Sequence, residues 1–105
     1  MLALATAAEL PRVPLAEALA ICLLLLDEES QRFELAALRW HARLCRDARL
    51  SLAEATIALG GLSALGGGRV DAGAHALLAV LDARHLGEVS RSLDEWLDAR
   101  ARTSS

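Results

Sequence analysis

Between Leu15 and Leu26 the chain reads LAEALAICLLLL, and Glu17 is its one charged residue. A helix that is apolar on every side must be surrounded by protein or by lipid. Length decides between them. A bilayer span needs about 20 apolar residues, whereas a run of about 10–14 belongs inside a protein. Leucine and alanine dominate the sequence, tyrosine is absent and strand-favouring Val, Ile and Thr are scarce, so the expected fold is all-α. Leu15–Leu26 is then expected to be the central helix of a compact bundle of about five helices. Pro14 suits its first turn, where a missing N–H costs nothing.

At 105 residues the chain is one domain, able to bury a core without disulfides or metal. The formal net charge of −3 gives no overall case for nucleic acid or an anionic membrane. All eleven basic residues are arginine, the mark of a GC-rich genome of bacterial type. The opening MLALATAA has no basic n-region, so no signal peptide is expected. Two cysteines suit a reducing cytoplasm, the expected location. Residues 2–10 can form two helical turns, with Thr6 and Glu9 as a local cap, within an N-terminal segment, residues 1–12, expected to be peripheral to the rest.

Asp27, Glu28 and Glu29 end the apolar run, and acidic residues favour the start of a following helix. With Ser30 as its N-cap, that helix reads SQRFELAALRWHARLCRDAR, from Ser30 to Arg49. At the helical step its side chains sort into sectors. Phe33, Ala37, Trp40 and Leu44 form one apolar stripe; Leu35, Leu38, Ala42 and Cys45 form a second, nearly opposite. Two such stripes predict neighbours on two sides. Arg32, Arg39, Arg43 and Arg46 cluster between them in an arc of about 60°. The two helices form either an antiparallel hairpin or one long kinked helix.

Ser51-Leu-Ala-Glu54 is a capping box, the most specific local signal in the chain. The helix it opens reaches about Leu65 and again is apolar nearly all round. Ala53, Gly60 and Ala64 share one side of it, where small residues admit close approach. Two adjacent glycines, Gly60 and Gly61, cost about 1 kcal/mol each against alanine, so close packing should compensate. Gly66-Gly67-Gly68 is a loop. Asp71 can cap a helix to about Leu86, with Gly87 as its terminator. A last amphipathic helix runs from about Glu88 to Arg100, with Val89, Leu93, Trp96 and Leu97 on one stripe and Arg91 placed to pair with Glu95. Residues 103–105 are expected to fray.

Little here carries chemistry. His41 and Cys45 stand four apart, a spacing that can hold a metal, with Cys22 as the available third ligand. In a hairpin, however, Cys22 is level with about Ala36, roughly 13 Å short of Cys45, too far for a shared ligand or a disulfide. Both cysteines are therefore read as inert core residues and His41 as a boundary histidine, with no metal site. Arg69 and His75 have five residues between them. That spacing resembles the motif of the HEPN superfamily of helical ribonucleases, which lies within a helix at a dimer cleft. Arg69 instead follows three glycines, so the resemblance is confined to the spacing. No P-loop, dinucleotide fingerprint, paired-cysteine motif or HExxH is present. The chain is not expected to be an enzyme or to hold a cofactor.

Two helices apolar all round raise a packing problem, since only one can be central in so small a bundle. The other should leave an apolar face exposed, which commonly marks an interface. The expectation is a protein–protein interaction module, an adaptor, regulatory or structural subunit. It would self-associate, most simply as a dimer, through the side bearing Ala53, Gly60 and Ala64. The ridge of Arg32, Arg39, Arg43 and Arg46 would meet acidic groups on a partner. The alternative is a regulator that lays this ridge on nucleic-acid phosphates, although no aromatic residues interleave it for stacking.

Overall fold

The computed structural model describes residues 13–104, which form five helices and no strand. They are α1 (Leu15–Glu28), α2 (Ser30–Ala48), α3 (Leu52–Gly66), α4 (Val70–Ala83) and α5 (Gly87–Ser104). The helix expected over residues 2–10 lies outside the described residues.

The principal contacts run α1–α2, α2–α3, α3–α4, α4–α5 and α5–α1. Each helix packs on its chain neighbours and the last returns to the first. The fold is a closed ring of helices around a shared core of Leu19, Leu23, Phe33, Trp40, Leu44, Leu62, Leu65, Leu77, Leu81 and Leu93. A ring has no centre seat. The expectation that Leu15–Leu26 is a central helix is therefore corrected: α1 buries Leu19, Cys22 and Leu23 but exposes Ala20, Ile21 and Leu24.

Chain reversal between α1 and α2 takes one residue, Glu29, at φ −144° and ψ 69°. The Trp40 indole N–H donates to the Leu15 carbonyl at 3.0 Å. In one continuous helix those residues would lie roughly 37 Å apart, so the pair is an antiparallel hairpin. Ser30 is inside α2 and is not its cap; Glu29 holds that position without a side-chain bond. The second stripe of α2 is also corrected. Leu35, Leu38 and Ala42 face outward and Cys45 is half-buried, while Phe33, Ala37, Trp40 and Leu44 are buried as expected. Between α1 and α3, the ring uses up only one stripe of α2.

The capping box forms in full: Glu54 N–H donates to Ser51 Oγ at 3.1 Å and Ser51 N–H donates to Glu54 Oε1 at 2.9 Å. The same carboxylate receives Arg84 from the end of α4, whose Nε lies 3.1 and 3.0 Å from its two oxygens and whose Nη2 also donates to it. Arg84 Nη2 donates in addition to the Arg49 carbonyl at 3.3 Å. One guanidinium thus ties the end of α2, the start of α3 and the end of α4. It holds the Glu54 carboxyl down to about 2, from an ordinary 4.5.

Of the adjacent glycines, only Gly61 is used in packing. A Cβ on Gly61 would stand 2.9 Å from the Gly73 carbonyl oxygen, and one on Gly73 would stand 2.6 Å from that of Gly61 and 2.8 Å from Leu65 N. The backbones of α3 and α4 touch there, and any side chain would force them apart. Gly60 has nothing within 4 Å of such an atom.

Helix α4 ends three residues earlier than the sequence suggested. His85 takes the left-handed conformation at φ 59°, Leu86 N–H returns to Leu81 O at 2.9 Å, and His85 N–H returns to Asp82 O at 3.1 Å, a Schellman motif. Gly87, expected as the terminator, begins α5 instead. Nor does Asp71 cap α4: Arg69 occupies that position and Asp71 is in the first turn, where its charge still favours the helix. Helix α5 closes the ring onto α1. The Trp96 indole N–H and Arg100 Nη1 each donate to an Asp27 oxygen at 2.8 Å, and Ser92 Oγ donates to Ala16 O at 3.1 Å. Arg100 is thus the partnered arginine of α5 in the structure, not Arg91 with Glu95. The helix continues through Thr103, whose hydroxyl donates to Ala99 O at 2.9 Å.

Candidate interaction surface

Seven large hydrophobic residues stand 40–85 % exposed: Ile21 and Leu24 on α1, Leu35 and Leu38 on α2, and Leu52, Ile57 and Leu59 on α3. None is on α4 or α5. The apolar excess of the sequence is therefore gathered on three consecutive helices. On α1, Ile21 and Leu24 lie opposite the buried Leu19 and Leu23 by the helical step; on α2, Leu35, Leu38 and Ala42 lie opposite Phe33 and Trp40. The outer face of the α1–α2 hairpin is thus apolar on both helices.

A groove of about 610 Å³ opens between α2 and α3, floored by Phe33, Ala37 and Leu62, walled by Leu38 and Leu59, with Glu34 at its rim. It lies at the end of the helix pair away from their connecting turn. Beside that turn, His41 Nε2–H donates to the Ala55 carbonyl at 2.7 Å. At the groove end, Gly66 offers Phe33 no side chain, so the phenyl ring would sit 3.3 Å from a Cβ placed there.

The arginine ridge lies on the outer side of α2. Arg32 pairs with Glu29 at 3.4 Å and Arg43 with Asp47 at 3.2 Å, both within the hairpin. Arg39 and Arg46 are exposed. Of the small residues proposed for self-association, Ala53 and Gly60 are exposed but Ala64 is buried in the protomer, on the side of α3 that meets α4. Gly73, which makes the close approach real, carries no signal in the sequence beyond being a glycine inside a helix.

The other candidates are placed as follows. Cys22 is a buried free thiol, pushed up to about 11 by desolvation and so unreactive. Cys45 is half-buried, its Sγ 3.6 Å from the His41 ring. Among the described residues no group of three His, Cys, Asp or Glu is placed to hold a metal. Arg69 precedes α4 and His75 is exposed on it, roughly 9 Å further along the axis. No helix among the described residues is long and apolar enough to cross a membrane. No protein-family model matches the chain, and no curated protein or solved structure is significantly similar to it.

Proposed function

We propose that this chain is a non-enzymatic helical interaction module that self-associates through its apolar helix faces. The observation that supports this reading is the concentration of exposed Ile and Leu side chains on α1, α2 and α3. Scattered surface leucines are ordinary, but a run of them across three adjacent helices is a surface that water disfavours and another protein covers. Oligomers of one chain most often close as twofold dimers. The arginine ridge borders this surface and supplies the charge that an acidic partner face would meet.

Light scattering on a size-exclusion column tests the reading, with the 260/280 nm absorbance ratio read across the same peak in low and high salt. A protein-only peak at twice the chain mass is the expected result. A monomer across the micromolar range would overturn it. A peak carrying nucleic acid that leaves in high salt would assign the arginine ridge to phosphates instead.

A further inference from the structure

We infer that the covering partner is a second copy of this chain, docked on the outer face of the α1–α2 hairpin so that α1 of each copy lies over α2 of the other. The inference rests on the self-association reading and names its face.

Charge placement carries it. Helix α1 contains Glu17, Asp27 and Glu28 and no basic residue. Asp27 is engaged by Trp96 and Arg100, but Glu17 and Glu28 have no ion-pair partner among the described residues. By the helical step, Glu17, Ile21, Leu24 and Glu28 form one outward stripe: acid, apolar, apolar, acid. The outward side of α2 carries the complement, Leu35 and Leu38 bordered by Arg32 and Arg39. Arg39 and Arg46 likewise have no ion-pair partner among the described residues. Within the hairpin, Asp27, Glu29, Arg32, Arg43 and Asp47 are paired inside the protomer, while Glu17 and Glu28 on α1 and Glu34, Arg39 and Arg46 on α2 have no ion-pair partner among the described residues.

Register agrees with charge. The turn at Glu29 and the Trp40–Leu15 hydrogen bond set Glu17 level with Arg39, Ile21 and Leu24 level with Leu35 and Leu38, and Glu28 level with Arg32, each to within a turn. A twofold axis along the seam between α1 and α2 preserves those levels and carries α1 over the other copy's α2. Glu17 then meets the second copy's Arg39, and Glu28 comes beside its Arg32, whose guanidinium it would share with that copy's Glu29. The four leucine and isoleucine side chains close between these pairs. Four helices, each antiparallel to its neighbours, result.

Sedimentation velocity over a dilution series, with wild type, Arg39→Glu, Glu17→Arg and the double variant Glu17→Arg/Arg39→Glu, tests this. All the changed residues are exposed, and circular dichroism checks that each variant folds. Each single swap sets like charges against each other twice in the dimer and should weaken association by at least about tenfold; the double swap should restore it. Gly60→Leu, on the outer side of α3, should leave the dimer unchanged. A monomeric wild type would overturn both this inference and the self-association reading. A wild-type dimer indifferent to both single swaps, or dissociated by Gly60→Leu, would overturn this face alone and move the interface to α3.

Discussion

Helices α1 and α3 share a long apolar body with one early glutamate, Glu17 and Glu54, α1 adding Asp27 and Glu28 at its end, yet the structure treats them differently. Helix α3 is clasped to α4 by backbone contact at Gly61 and Gly73, pinned by Arg84 on Glu54, and buries Ala58, Leu62, Ala64 and Leu65. Helix α1 is held at its two ends, by Trp40 at Leu15 and by Trp96 and Arg100 at Asp27, and turns Ile21 and Leu24 to the outside. Hydrophobicity decided that both would be helices in a bundle. Residue size decided which would be clasped: glycines let α3 and α4 approach until backbone meets backbone at Gly61 and Gly73, although α3 still exposes Leu52, Ile57 and Leu59.

The sharpest way to break this contrast is to restore a side chain at the clasp. Gly73→Ala places a Cβ 2.6 Å from a carbonyl oxygen and 2.8 Å from a backbone nitrogen, neither of which can rotate away. We expect it to destabilise the protein by about 2–4 kcal/mol in urea denaturation, with Gly61→Ala close behind. Gly60→Ala is the counter-experiment one residue away. It meets open space and should stabilise α3 by up to about 1 kcal/mol through helix propensity alone. Equal effects at Gly60 and Gly61 would refute the clasp.

Acid should loosen the same region next. The Glu54 carboxyl titrates near 2 in the folded chain against an ordinary 4.5, because it accepts hydrogen bonds from Arg84 and from Ser51. A depressed folded value means that the unfolded chain takes up the proton first as pH falls. The stabilisation from this group is therefore complete above about pH 4.5 and drains away toward pH 2. Glu54→Gln keeps a capping-box side chain but removes the titration. The gap in stability between wild type and variant should be widest at neutral pH and narrow steadily through that window, as read from melting temperatures across pH. Arg84→Met should narrow it in the same way.

Much of the fold was legible because it depends on local signals. The capping box at Ser51 and Glu54 formed as spelled, Pro14 opened α1, and four of the five helices start within a residue of expectation, α4 starting two residues early with Arg69 in place of Asp71 as its cap. What misled was topology. Nothing in the periodicity of α1 or α2 says that the chain closes into a ring, and in a ring each helix spends only one sector on the core. The second stripe of α2, Leu35, Leu38 and Ala42, looks the same whether a neighbour covers it or not. The exposed surface was inferred correctly in kind and placed only partly: Ala53 and Gly60 are outward, but Ala64 is enclosed, and the larger apolar surface is on α1 and α2. Arg84, which joins three helices, lies in no motif, and its partner Glu54 is 30 residues away.

Helix ends show the same limit and give the smallest of the expected effects. Three of the turns between helices place a residue in the left-handed region: Arg49 after α2, Gly68 after α3 and His85 after α4. Only the glycine announces itself, since a side chain there crowds the following carbonyl at a cost of about 1–2 kcal/mol. Position 85 should therefore welcome the residue that the sequence offered two places later. His85 is exposed and its imidazole makes no contact on which the turn depends; the Leu86 and His85 N–H bonds come from the backbone. His85→Gly should raise stability by about 0.5–1 kcal/mol, the relief of strain less the extra freedom that glycine has in the unfolded chain. Arg49→Gly should gain similarly, since Arg84 holds the carbonyl of residue 49 and not its side chain. If instead His85→Gly destabilised the protein, α4 would have to be ending elsewhere, at Gly87, and the ring would lose the turn that swings α5 back onto α1.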